Sequence, residues 1–141
     1  MDDKPRKILG IDPGKKRVGL AIGDTLLRVA TGFKTIKYRG KNDFLKMLHL
    51  LVKEEEIDFV VIGLPKNMDG TEGESANFSR QLAELIKRDL NLNVEFVDER
   101  LTTEEAIRQI HQADKKIGNS KDTIDMLSAA IILQSYLDRI Q

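Results

Sequence analysis

The hydrophobic pattern of this chain changes character near residue 40, from successive strand-like runs to alternating periods, and that change limits the available folds more than any other feature. Before it, apolar residues come in short runs with tight connections. Lys7–Asp12 is almost wholly apolar and reads as a buried strand. Arg17–Asp24 alternates, with Val18, Leu20 and Ile22 on one face and Gly19, Ala21 and Gly23 on the other. A third strand is expected within Val29–Tyr38, after a turn near Leu26–Arg28. Short links between such runs imply an antiparallel meander. After residue 40, helix and strand alternate. The spacing predicts helices over Asn42–Glu55 and Glu74–Leu90, another from Thr102, and a last one over about Lys121–Ile140. Thr102-Thr103-Glu104-Glu105 has the form of a capping box. Ile57–Ile62 and Asn93–Asp98 read as strands, Gly63–Gly73 as a loop of turn formers, and Asp114–Ser120 as a polar connection. The order βββ-α-β-α-β-α-α implies one α/β architecture, a five-stranded mixed sheet with helices on its faces.

At 141 residues the chain suits a single domain spanning 1–141. It has no cysteine, which excludes disulfides and thiolate chemistry. Its two histidines, His49 and His111, are too few for a His/Cys zinc site, and neither is assigned a role. Any metal is therefore expected to sit among oxygen ligands. No apolar run approaches the ~20 residues of a membrane span, and the N-terminal MDDKPRK lacks a signal-type stretch. A cytoplasmic protein with no membrane partner is expected. Net charge is zero, but residues 1–41 hold 11 Lys/Arg against 4 Asp/Glu, and the remainder holds 12 against 19. Such asymmetry suits a polyanion partner, and equally a solvated sheet edge.

Several carboxylates fall at the ends of elements. Asp12 ends the first strand, Asp98 and Glu99 end the last, and Asp125 lies early in the final helix. If the first and last strands run parallel at the centre of the sheet, their C-terminal ends bring Asp12 near Glu99. Sites in open sheets form at such ends. The small residues Ser128-Ala129-Ala130 would let the last helix approach the Gly19/Ala21/Gly23 face and carry Asp125 inward. Hard oxygen donors of this kind suit Mg²⁺ or Mn²⁺, which would offset the repulsion among them. A pair of such ions about 3.5–4 Å apart can activate water for phosphoryl transfer with no side-chain nucleophile. Each acid also fits a plainer role. Asp12 before Pro13-Gly14 starts a turn. Asp98 and Glu99 suit a solvated strand end. Asp125 would favour a helix dipole as the N3 residue if Asp122 is the N-cap.

The segments ILGIDPGKKRVGLAIGD, VVIGLPKNMDGTEG, VEFVDERLTTEEA and IDMLSAAIILQSYLD occur in the order and spacing of the YqgF family, also called RuvX. The resemblance runs from about Lys7 to Asp138. It implies an RNase H-like fold and a metal-dependent nuclease. Matched by motif, Asp12, Glu99 and Asp125 are the catalytic and metal-binding acids, with Asp98 a substitute for Glu99. Members are described as nucleases that mature the 5′ end of pre-16S rRNA, and by analogy as Holliday-junction resolvases. Structured RNA or branched DNA is therefore the expected partner. Resolution of a junction favours a homodimer, whereas trimming an rRNA end suits a monomer. A non-catalytic nucleic-acid-binding module is a further alternative. A two-lobed sugar-kinase-like ATPase also opens with Asp-x-Gly but needs a second lobe. The family pattern has a threonine-like residue where this chain has Lys15, so Lys15-Lys16-Arg17 is a fuller basic turn, expected to bind the substrate's phosphates. Only three acids match, and Asp24 and Asp122 are the possible helpers.

Other residues expected to meet substrate are Lys66 and Asn67 in the loop after the fourth strand, and Arg100 directly after the acids. Lys34, Lys37, Tyr38, Arg39 and Lys41 offer a cationic track along the third strand, or simply the lysines that keep an edge strand soluble.

Overall fold

The structure, a computed structural model, describes residues 4–99, 108, 112 and 121–140. Among the described residues the elements are, in order, β1 (Lys7–Asp12), β2 (Arg17–Asp24), β3 (Thr31–Lys37), α1 (Lys41–Glu55), β4 (Phe59–Leu64), α2 (Glu74–Leu90), β5 (Val94–Asp98) and α3 (Lys121–Arg139). Residues 108 and 112 are helical. The rest of 100–120, with the expected capping box, lies outside the described residues.

The five strands form one sheet in the order β3-β2-β1-β4-β5. β1, β2 and β3 are antiparallel neighbours, while β4 runs parallel to both β1 and β5. The expected meander plus parallel strands is thus present. β5 differs from expectation in lying at the edge, with β4 between it and β1. β4 is buried throughout, as its continuous apolar run requires of a strand covered on both faces.

The alternation in β2 sends its side chains to two cores. Val18 and Leu20 join Leu9, Ile11, Val60 and Ile62 under α1 and α2. Phe44, Leu48, Leu82 and Ile86 are the helical residues that close this face. On the other face Ile8, Ala21, Phe59 and Val61 meet Ala129, Ile132, Leu133 and Leu137 of α3. Small residues let α3 sit close. A Cβ built on Gly10 would lie 2.8 Å from the Cβ of Leu133, and one on Gly19 would overlap the carbonyl oxygen of Asp125.

One boundary departs from the sequence expectation. β4 begins and ends two residues later than the apolar run Ile57–Ile62. Ile57 still belongs to the exit from α1, where its N–H donates to the Val52 carbonyl after Glu56 turns left-handed (φ 55°). Gly63 and Leu64 continue the ladder because Val97 and Asp98 pair with them. At the other end of the chain, α3 begins at Lys121 as its spacing predicts, and Asp125 stands in its second turn, so the N3 position that an Asp122 cap would give it does not apply.

Candidate active site

The parallel strands β1, β4 and β5 place their C-terminal ends on one edge of the sheet, and the acids gather there. Asp12 is the last residue of β1, and Glu99 follows the last residue of β5. With strands spaced about 4.8 Å apart, β5 is some 10 Å from β1. The gap is bridged by Glu99 reaching over β4 at Gly63. A Cβ at position 63 would come within 2.5 Å of Glu99 Oε1 and 2.6 Å of Ile132 Cδ1. The glycine therefore opens the channel through which Glu99 reaches Asp12. Sequence reading assigned Gly63 to a loop. The signal was a glycine inside the otherwise apolar FVVIGL, which marks a close approach.

Asp12 and Glu99 share a hydrogen bond. Burial, then the Glu99 charge and that hydrogen bond, then the charge of Asp125, push the Asp12 carboxyl up to about 8. Burial also raises Glu99, the nearby Asp98 charge adds to this, and the bond from Asp12 works against it. Both carboxyls are thus pushed toward the protonated form, and a proton on Asp12 would be donated to Glu99. Of the two acids that end β5, Glu99 is the one bonded to Asp12.

Asp125 arrives from the other side of β1. Its backbone rests on Gly19, which pairs with Asp12 in the β1–β2 ladder. Its Oδ2 accepts from Arg17 Nε at 2.7 Å. Among the described residues no three acids converge into a ready-made ligand cluster. Asp12 and Glu99 are joined, while Asp125 acts on Asp12 through its charge and is held by Arg17. The donor set nevertheless fits a hard divalent cation. Two half-buried carboxyls here resist ionising together, and a cation would let both do so.

The remaining expected site residues divide. Lys15 and Lys16 are exposed at the β1–β2 turn on the acid edge, with Lys15 Nζ 3.3 Å from Glu74 Oε2. Lys66 is half-buried and pairs with Glu72 across the loop after β4. Asn67 closes that loop. Its N–H donates to the Thr71 carbonyl, and its Nδ2 to Thr71 Oγ1 at 2.9 Å. Arg80 steadies the same loop through two bonds to Glu72, at 2.6 and 2.7 Å. Arg100 lies outside the described residues. Asp24 is at the opposite end of the sheet, paired with Lys7, and its Oδ1 accepts from the N–H groups of Leu26 and Leu27. As a helper acid it is excluded, because an antiparallel strand carries it the full length of β2 away from Asp12. Asp122 is exposed in the first turn of α3, and its carbonyl accepts from Thr35 Oγ1 at 2.6 Å.

A mixed sheet in this order, with helices on both faces, is an RNase H-like fold, and acids stand at the ends of β1 and β5 and on the helix behind them. A family model described as RuvX, Holliday junction resolvase, matches residues 6–139. The chain belongs to the RuvX family and is a phosphodiester hydrolase. A relative from Clostridioides difficile (strain 630), provisionally named a pre-16S rRNA nuclease, is 43% identical over 132 residues, covering 94% of each chain. Among solved structures, the Holliday junction resolvase of fowlpox virus aligns over 96% of this chain and 99% of its own, with TM-score 0.60 and 14% identity. RuvC of T. thermophilus, in complex with a Holliday junction substrate, aligns over 96% of each chain with TM-score 0.53 and 11% identity. Likeness at that identity concerns the fold. Among the described residues no helix is long and apolar enough to cross a membrane.

Proposed function

We propose that this nuclease is divalent-metal dependent, with Asp12, Glu99 and Asp125 as its metal-binding and catalytic acids and the 5′ end of pre-16S rRNA as its substrate. The observation that carries the reading is the half-buried Asp12–Glu99 pair, pushed toward protonation beside a third acid at the sheet edge. A like-charged pair withdrawn from solvent in this way costs stability in a fold that does not use it. A bound Mg²⁺ or Mn²⁺ would supply Lewis acidity and a water of lowered pKa. The chain's own contribution would be the joined Asp12 and Glu99 at the strand ends, with Asp125, held by Arg17, near enough for its charge to act on Asp12. Lys16 and Lys66, with Lys15 once released from Glu74, would meet the phosphate backbone. The relatives' names favour the rRNA substrate, and on this reading the protein works in the cytoplasm.

Branched DNA is the second reading, supported by the family description and by the fold shared with junction resolvases. It requires paired sites and hence a homodimer, whereas an rRNA end can be trimmed by a monomer. The test is a parallel cleavage assay on a precursor rRNA 5′ end and a synthetic four-way junction, with Mn²⁺ or Mg²⁺. Asp12→Asn is expected to lower cleavage at least a thousandfold while retaining nucleic-acid binding. Cleavage by folded Asp12→Asn at the parent rate would refute the assignment of the acids. Cutting of the junction alone would refute the rRNA substrate.

A further inference from the structure

Arg17 opens β2 in the basic turn, yet its guanidinium points to an acid of the site. Nε donates to Asp125 Oδ2 at 2.7 Å, and the two side chains are only 30% and 21% exposed. A pair so far withdrawn from solvent is held more firmly than a surface ion pair. The contact uses one of the five guanidinium N–H groups and one carboxylate oxygen. The bond engages Oδ2, and Oδ1 is the second oxygen of the carboxylate.

Both ends of the pair are fixed by backbone. Arg17 is paired with Lys37 in the β2–β3 ladder. The Asp125 backbone packs on Gly19, two residues further along β2. Thr35 of β3 is bonded to the Asp122 carbonyl one turn earlier in α3. The same two strands therefore position the arginine, the helix and the carboxylate. The bond to Oδ2 then sets the rotation of the carboxylate, and Oδ1 is the oxygen left for another partner.

We infer that Arg17 is the positioning residue for Asp125, holding one carboxylate oxygen so that the other is presented to a divalent cation shared with Asp12 and Glu99. This rests on the metal-dependent reading above. Hydrogen bonds that orient a metal ligand typically carry about 10–100-fold in metal affinity. Simple electrostatics gives the opposite sign, because a guanidinium beside the site repels a cation. Orientation and competition can thus be told apart by the direction of one change.

The experiment is Mn²⁺ calorimetry on the full chain without nucleic acid. The samples are wild type, Asp12→Asn, Asp125→Asn, Arg17→Met, Arg17→Lys and the double variant Arg17→Met/Asp125→Asn. Thermal melting in chelator checks that each folds. Arg17→Met is expected to bind Mn²⁺ about 10-fold or more weakly than wild type. Arg17→Lys, which keeps the charge and loses the Nε donor, should be weakened too, and it carries the test if the methionine variant does not fold. In the Asp125→Asn background the Arg17→Met change should have little further effect. Unchanged or tighter binding in a folded Arg17 variant overturns the inference, and tighter binding would make the guanidinium only a competitor for Asp125. Absence of Mn²⁺ binding by wild type, or undiminished binding by Asp12→Asn, overturns the metal reading itself.

Discussion

Asp12 is the residue where burial and charge conflict most. Its carboxyl is held up at about 8 in the fold, against about 3.9 for an unfolded aspartate. Between those values the folded chain keeps a proton that the unfolded chain has lost. The metal-free protein should therefore be most stable at low pH with respect to this group, and should lose that stability as pH rises from about 4 through about 8. The slope is at most about 1.4 kcal/mol per pH unit for one proton. Thermal melts in chelator between pH 5 and 9 would read it as a falling Tm. Asp12→Asn, which keeps a neutral polar group, should flatten the profile. A wild-type Tm that is level across the window would contradict the buried pair. The place of Asp12 was legible from the sequence, because it ends a buried strand and its partner Glu99 stands at the end of another. The Arg17–Asp125 bond was not, since a tertiary contact between residues 17 and 125 leaves no local pattern.

At the scale of elements, the site depends on how deeply α3 lies against the sheet. Gly19 sets that depth, because any Cβ there would overlap the Asp125 carbonyl. Gly19→Ala should push the start of α3 outward and cost about 1–3 kcal/mol in overpacking. Cleavage should fall by more than the fraction unfolded, because Asp125 moves away from Asp12. Gly73→Ala is the control, since a Cβ there meets nothing within 4 Å. Urea denaturation and cleavage rates on both variants would check this, and equal behaviour of the two would refute it. Much of this packing was legible. Alternation in β2 placed its glycines on the face that α3 covers, and α2 ran from Glu74 to Leu90 as its apolar stripe implied. β4 was misjudged by two residues because its end is set by pairing with Val97 and Asp98 and not by its own composition. The hydrophobic period tells which face of an element is buried, but not which neighbour lies beside it. That is why β5 was expected at the centre of the sheet and Gly63 was taken for a loop.

For the molecule as a whole, the relevant quantity is where the cations of residues 1–41 end up. The Tyr38 N–H donates to the Lys16 carbonyl at 2.9 Å, which ties the basic β1–β2 turn to the end of β3. Exposed Lys37 and Arg39 therefore lie on the same sheet edge as the acids. With Lys34 they line a surface cleft of about 420 Å³ whose other walls are Thr35, Ile36, Asp43 and Met47. A phosphate backbone passing from this cleft over Lys16 would reach Asp12, Glu99 and Asp125. Each phosphate contact contributes roughly 0.7–0.9 to the slope of log affinity against log salt. Replacing Lys37 and Arg39 together by glutamate should weaken binding of RNA and junction DNA alike and lower that slope by about 1.4–1.8. The rate at saturating substrate should stay near wild type, because neither side chain touches the acids. Fluorescence anisotropy titrations between 50 and about 200 mM salt would measure the slope. An unchanged slope would leave the cationic edge with only the task of keeping β3 from pairing with other chains, which its lysines also serve.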